Sequence, residues 1–526
     1  MKHGAANWEA IVPFLLFVAL TLWVTRWASR HNRSAADFYA ASGGISPLQN
    51  GFALAGDFIS AASFLGAVGM IASIGYDGLV YGVGPLIGWP LLLFLVAEPL
   101  RNLGRFTLAD MVSFRLKARP TRILVAANSL VILLFYLVIQ MVGAGQLVQL
   151  LFGLPYMSAV SAVAVLVLIY VLWGGMLGTT WLQIIKAALM LSVGSSLAFM
   201  VLRATGFSLD NLLSRVVQAH PRGSFVLAPS SLMANPVDAL SLGASLTFGL
   251  VGLPHILTRL FTVKDGASAR KSVFYATTII AYFYTAIAVI GAGVVAFVIR
   301  DPRFLDSVTH KLIGGSNMAA MHLSSYFGGD LLLGLLCALA FATILAVVSG
   351  LTISGASIIG HDLYTHVTSR NGGSPQGALS VSRIATVVLI ALAVVLSQAV
   401  QHLNVAFLIG LAFSISASTN FPILILSLYW RGLTTRGLLA AGITGLVSSI
   451  ALLATGPTFW VGSFGFTHAL FPYANPTLFS MTLAFAAAWL MSVTDRSASA
   501  NQERLAFDAQ LYRSMTGVGA ANAAHH

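Results

Sequence analysis

The sequence predicts an all-α membrane protein with about thirteen transmembrane helices of ~20 residues each. Two observations carry that prediction. Charged residues are 8% of the 526, hydrophobic residues are 57%, and the mean hydropathy is +0.87. Soluble domains carry roughly 25% charge. So few charges cannot cover a soluble globule of this length, which excludes a soluble enzyme or a cytosolic binding module. The apolar residues also come in long unbroken runs, not in short alternating segments, which excludes a membrane barrel and leaves helices.

Taken in order, the runs cover 9–28, 46–73, 79–99, 123–152, 155–173, 179–202, 240–262, 273–299, 331–360, 381–400, 403–429, 438–456 and 475–493. The first begins at Trp8 with no basic segment ahead of a small-residue cleavage site, so it reads as a retained helix and not a signal peptide. The longest polar stretches are 203–238, 300–330 and the tail after 494. No soluble domain is expected, and residues 1–526 read as one membrane domain. The tail holds Asp495, Arg496, Glu503, Arg504 and Asp508, and is expected to be a short surface helix or disordered.

Of the 28 Lys and Arg residues, 21 fall on one set of alternate loops. That asymmetry predicts a cytoplasmic C-terminus and an N-terminus outside, as an odd number of crossings requires. The net charge of +12 therefore reflects membrane topology. No basic tail suggests nucleic acid. Cys337 stands alone, so intrachain disulfides, a CxxC pair and a multi-cysteine zinc site are excluded. HExxH, GxSxG and GxxxxGK(S/T) motifs are missing, and no resident cofactor is expected.

Two spans carry helix breakers. The second contains Gly56-Asp57-Phe58-Ile59-Ser60-Ala61-Ala62-Ser63-Phe64-Leu65-Gly66, and the seventh contains Gly249-Leu250-Val251-Gly252-Leu253-Pro254-His255. These spans lie five apart, so two five-helix units in series, 46–202 and 240–429, are inserted in opposite orientations. Interrupted helices at matching places in inverted halves point to a central transport site. Small residues also serve close helix packing. A break exposes N–H groups that attract an anion and carbonyls that suit a hard cation.

Asp57 is the only acidic residue deep in a span. Such a carboxylate is costly in lipid and reads as functional, for proton or cation coupling or for orienting the unwound backbone. A lone carboxylate disfavours an aspartyl protease, which needs two. In the ninth span, Ala346, Ser349 and Gly350 share one helical face, and the Ala346 carbonyl and Ser349 hydroxyl suit Na⁺. Arg259 and Lys186 are expected toward the cytoplasmic ends, leaving no side-chain cation near the centre.

These residues carry a resemblance. Gly56 to Gly66, Tyr76-Asp77-Gly78-Leu79, Arg101-Asn102-Leu103-Gly104-Arg105, Gly174-Gly175-Met176-Leu177-Gly178 and His361-Asp362-Leu363-Tyr364 resemble the sodium:solute symporter family. Within it, the bacterial cation/acetate symporters are nearest. The resemblance implies a leucine-transporter-like fold of inverted five-helix repeats, with alternating access driven by a cation gradient. It implies Na⁺ ligands at the carbonyls of Gly56, Ile59 and Ala346 and the hydroxyl of Ser349. Three positions depart from the family pattern. Gly350 stands where many members have a second hydroxyl, Gln183 stands near a frequent Asp, and Asp57 comes one position early.

Solute contacts are expected from Ser60, Ala62 and Ser63, from Gln140, and from an unwound segment at Thr247, Phe248 and Gly249. Ser416 belongs to an unusually polar eleventh span with Ser414, Ser418, Thr419 and Asn420. The expected activity is symport of a short-chain monocarboxylate, acetate first, with Na⁺ ahead of H⁺. Other small solutes, such as pyruvate, glycolate or proline, are the nearer alternative. An uncoupled channel or a membrane sensor is the more distant one, and the tail is too short for a signalling domain. The partners expected are solute, cation and lipid, with no obligatory protein partner. The chain is expected in a bacterial inner membrane.

Overall fold

Helices follow the apolar runs closely, and their ends are set by ordinary capping chemistry. In the computed structural model, residues 8–29, 44–104, 106–229, 232–368, 375–462 and 465–519 are described. Helix α1 spans Trp8–Ser29. Helix α2, Pro47–Phe58, starts from a capping box in which Ser46 and Gln49 satisfy each other's backbone N–H groups. The chain then leaves helical geometry at Ile59 (φ −69°, ψ 97°), passes through a π turn at Ala62–Gly66, and continues as α3, Ala67–Ile74. Helices α4 (Val80–Leu91), α5 (Ala97–Leu103) and α6 (Leu108–Val112) lead to α7, Ala118–Phe152.

Helix α8, Tyr156–Ala204, is continuous where a connection was expected at Gly174–Gly178. Its apolar stretches nevertheless fall into the two expected parts, Tyr156–Ile169 and Thr180–Ala204. After the amphipathic α9 (Leu209–Ala219) comes α10, Pro236–Val251, capped by Asn235. The second break lies at Gly252–Leu253, and α11, Pro254–Arg259, follows. Thr247, Phe248 and Gly249 remain helical, so the unwound segment sits further along than expected. Pro254 is the reason: it forces the preceding Leu253 into extended geometry (φ −70°, ψ 118°).

Helix α12 spans Gly266–Phe297. Helix α13, Ala319–Ser357, is two helical pieces joined at Gly328 and Gly329, whose backbone is non-helical (Gly329 φ 61°), so the second piece starts close to the expected span 331–360. A π-helical segment, Ile358–Thr368, prolongs α13. Helices α14 (Pro375–Val400), α15 (Val405–Ser418), α16 (Asn420–Tyr429), α17 (Thr435–Thr455) and α18 (Thr477–Thr494) follow. A third interruption, at Thr419, separates α15 from α16.

Ten helical stretches among the described residues are long and apolar enough to cross a membrane. Outward side chains such as Val387, Val388, Leu392 and Val395 on α14 are exposed, as lipid contact allows. The tail is ordered and docked: α19 is Ala498–Leu505 and α20 is Phe507–Thr516. The Glu503 carboxylate accepts from the Thr435 N–H and hydroxyl at 2.8 and 2.6 Å, and Gln510 donates to the Ser427 carbonyl at 2.8 Å. The alternative of a disordered tail therefore fails over these residues.

Helix α2 packs against α8 and α12, and α13 packs against α8 and α1. The second interrupted helix, α10, lies between α4 and α15. The closest approach to backbone among the described glycines is at Gly445 on α17, where an added Cβ would lie 1.8 Å from the Ser418 carbonyl oxygen. Gly445→Ala is expected to cost about 1–3 kcal/mol through overpacking. Its melting temperature in detergent should fall below that of the parent. Gly194→Ala, with nothing within 4 Å, should melt unchanged.

Candidate substrate and cation site

Asp57 closes the last turn of α2 and is 2% exposed. Isolated there, its charge would be untenable, and the neighbouring elements answer it directly. Arg259, at the end of α11, donates from Nε to Asp57 Oδ2, and Gln183 of α8 donates from Nε2 to Oδ1. Arg259 Nη1 also donates to Thr180 Oγ1 at 2.6 Å. The Arg259 carbonyl in turn accepts from Asn50 Nδ2 at 3.1 Å and from Thr262 Oγ1 at 2.8 Å, which fixes α11 onto α2.

Lys186, one turn beyond Gln183 on α8, completes the group. Its Nζ donates to the Gly56 carbonyl, to Gln183 Oε1 at 2.7 Å and to the Thr343 carbonyl of α13 at 3.4 Å. Arg259 and Lys186 are thus buried against the first break. This corrects the expectation that no side-chain cation lies near the centre. Counting residues from a span edge places a Cα atom, whereas a long cationic side chain carries its charge several ångströms away.

A second set of groups borders this network. Ser60 Oγ, Tyr136 Oη, Gln140 Nε2, both ring nitrogens of His255 and Arg259 Nη2 are buried without a hydrogen-bond partner. They are contiguous. The Tyr136 and His255 rings meet edge to face at 4.9 Å. The Tyr136 and Ser60 hydroxyls face each other without a bond of ordinary geometry. Gln140 lies one turn after Tyr136, and its Oε1 accepts the Ala61 N–H freed by the break at 3.4 Å. The Phe413 ring lies 6.4 Å from that of Tyr136. Buried polar groups without partners are rare and costly, so a cluster of them marks a place for a ligand. Hydroxyl, amide, imidazole and guanidinium groups can all donate, and the cluster includes no unpartnered carboxylate. The chemistry suits an anion.

The other predicted site residues are placed as follows. Ser63 caps the break, accepting from the Ser60 N–H at 2.6 Å and donating to the Phe58 carbonyl at 2.9 Å. Ala62 begins the π turn and is buried. Thr247 donates to the Gly84 carbonyl at 3.0 Å, and Phe248 stacks on Phe421 at 4.8 Å. Ser416 donates to the Gly249 carbonyl at 2.7 Å, and Asn420 to the Gly252 carbonyl at 3.0 Å. These last contacts staple the second break to α15 and α16, separately from the donor cluster.

Of the expected cation ligands, Gly56 offers its carbonyl to Lys186, and Ile59 is the extended residue of the break. Ala346 and Ser349 are buried in α13, where Ser349 Oγ donates to the Leu345 carbonyl at 2.8 Å. Neither Tyr136 nor His255 is among the site residues expected from the sequence. Tyr136 sits one turn before Gln140, which is the only sequence signal that could have found it.

A further charged cluster joins α6, α7 and the end of α13. Arg122 pairs with Asp110 at 2.9 Å and with Asp362 at 2.8 Å, and His361 contacts Asp110 at 3.3 Å. Burial pushes the Asp110 carboxyl up, but the His361 hydrogen bond and the His361 and Arg122 charges hold it below the ordinary range. Three metal-ligating side chains lie close together here, but Arg122 already supplies the cation.

Comparison with known proteins fits this architecture. The family model described as the sodium:solute symporter family matches residues 38–445. The chain belongs to the sodium:solute symporter family. Among solved structures, this symporter is similar to a Na⁺-coupled sialic acid symporter in its substrate-bound outward-open state. The TM-score is 0.74 at 14% identity, covering 93% of this chain and 98% of that one. It is also similar, more distantly, to the nucleobase-cation-symport transporter Mhp1 in a closed conformation, with TM-score 0.48, 12% identity, and 90% and 99% coverage. The fold is the leucine-transporter-like one, the chain is a multi-pass membrane transporter, and it is not an enzyme.

Because Tyr136 Oη has no protein partner, Tyr136→Phe should leave the symporter's melting temperature unchanged or higher. It should raise the half-saturation for solute by about fivefold to tenfold, the loss of one hydrogen bond. Asp57→Asn should lose concentrative uptake, since Arg259 and Lys186 would then be buried without a counter-charge. Thermal unfolding and initial uptake rates over a range of solute concentrations check the first, and accumulation ratios in proteoliposomes check the second.

Proposed function

We propose that this symporter takes up a small monocarboxylate, acetate first, together with a monovalent cation, Na⁺ by the family pattern or H⁺. Access alternates between two inverted five-helix units, 46–202 and 240–429. One observation carries the reading: donors without partners lie beside a buried group with two cationic side chains and one carboxylate. A bound monoanion would balance that charge and satisfy Ser60, Tyr136, Gln140 and His255. Free N–H groups at the break and the start of α11 add their dipoles.

The same observation ranks the solutes. A carboxylate alone suffices for recognition, so acetate, pyruvate and glycolate fit. Proline also brings an ammonium, and Asp57, the carboxylate at hand, is already paired with Arg259. The positive-inside pattern supports an N-terminus outside and a cytoplasmic C-terminus in a bacterial inner membrane.

Uptake of labelled acetate into proteoliposomes tests the reading, with Na⁺ and proton gradients imposed separately. Acetate should be concentrated, excess pyruvate or glycolate should compete, and proline should not. Flux indifferent to both gradients would indicate a channel and contradict symport. Strong competition by proline would contradict the monocarboxylate assignment.

A further inference from the structure

In this family pattern a metal cation sits between the broken helix and the helix equivalent to α13, bound by backbone carbonyls and hydroxyls. The geometry here points to a different occupant: the Lys186 side chain is a tethered stand-in for Na⁺, so no Na⁺ binds at the α2 break. The inference rests on family membership and not on the identity of the solute, and of the two coupling cations proposed above it selects H⁺ over Na⁺.

Four observations on independent elements converge. First, Lys186 Nζ donates to the Gly56 carbonyl, one of the oxygens expected to hold Na⁺, and to the Thr343 carbonyl, one turn before Ala346. It thus bridges α2 and α13, the helices a metal would bridge. Second, its third acceptor is Gln183 Oε1. An ammonium has three donors and here meets three oxygens, so its hydrogen-bonding capacity is filled.

Third, the hydroxyl that many relatives place after Ser349 is replaced by Gly350, and the space it would need is taken. A Cβ at Gly350 would lie 3.0 Å from Asp57 Oδ1 and 3.9 Å from Arg259 Nη2. A Ser or Thr side chain there would press into the ion pair. Fourth, the charges leave no room for a further cation. The charged groups around Lys186 are Asp57 on α2 and Arg259 on α11, and His255 and Tyr136 border that pair from α11 and α7. The single carboxylate already faces two cationic side chains, and a Na⁺ beside them would be a third. Gln183, at a position where relatives often carry Asp, adds no negative charge to offset it.

With Lys186 in place, Na⁺ therefore meets an occupied Gly56 carbonyl and has no counter-charge at this position. A cation that comes and goes is replaced by one that is covalently attached. Lys186 holds α2 to α13 and α8 permanently where a metal would do so only when bound.

The test is thermal unfolding of the purified full-length symporter in NaCl against choline chloride at equal ionic strength, for the parent, Lys186→Ala and Lys186→Met. A ligand that binds only the native state raises the melting temperature. The parent should melt at the same temperature in both salts. Removing the ammonium should open the site, so that Na⁺ raises the melting temperature of K186A by about 2 °C or more. K186M keeps the stem volume and serves if K186A does not fold. Stabilisation of the parent by Na⁺ would overturn the inference. So would folded lysine variants that remain indifferent to Na⁺. Failure of acetate uptake would instead contradict the proposed solute and leave this result untouched.

Discussion

A carboxylate inside the hydrocarbon region can persist only if its charge is answered on the spot, and Asp57 sets that condition for the whole centre of this symporter. Arg259 and Gln183 occupy its two oxygens. Holding them there requires α11 to start immediately after the second break and α8 to pass directly behind α2. Gly56 permits the second of these, because a Cβ there would lie 2.5 Å from the Gln183 carbonyl oxygen. The two interruptions are therefore linked through one ion pair between Asp57 beside the first and Arg259 just beyond the second.

That linkage also explains how polar atoms around the breaks divide into two groups. Backbone groups freed by the breaks are mostly satisfied by side chains. Ser63 and Gln140 serve the first break, and Ser416 and Asn420 serve the second. The unpartnered atoms include a group of side-chain donors gathered around Tyr136 and His255, with the Asn420 Oδ1 acceptor apart from them at the second break. Stapled backbone gives rigidity, while unpartnered donors give a place whose polar cost is relieved only by a ligand. A net positive surplus beside them selects the sign of that ligand.

Much of this was legible in the sequence because it is written in composition and in local punctuation. The helical membrane fold follows from the scarcity of charge, and both interrupted spans follow from Gly and Pro. Pro254 also shows the limit of such reading, because it moved the second break past Thr247 to Gly249. Asp57 was legible as an oddity, as were Gln183 and Gly350, but as three separate departures. Only packing shows that they are one unit, in which Gly350 makes way for Asp57 and Gln183 bridges Asp57 to Lys186. The reach of Lys186 and Arg259 was not legible, since side-chain direction depends on what surrounds it. Tyr136 was hidden for a similar reason: an aromatic residue on an apolar helix gives no sign that its hydroxyl will be left without a partner.

The central claim is that a small anion sits among these donors at the first break. Solid-state NMR on ¹⁵N-labelled protein in lipid, with acetate ¹³C-labelled at its carboxyl, addresses it directly. The account predicts ¹³C–¹⁵N dipolar contacts to the Gln140 side-chain amide and the His255 ring, lost on adding excess unlabelled acetate. Saturable binding of acetate with contacts to neither residue would contradict it.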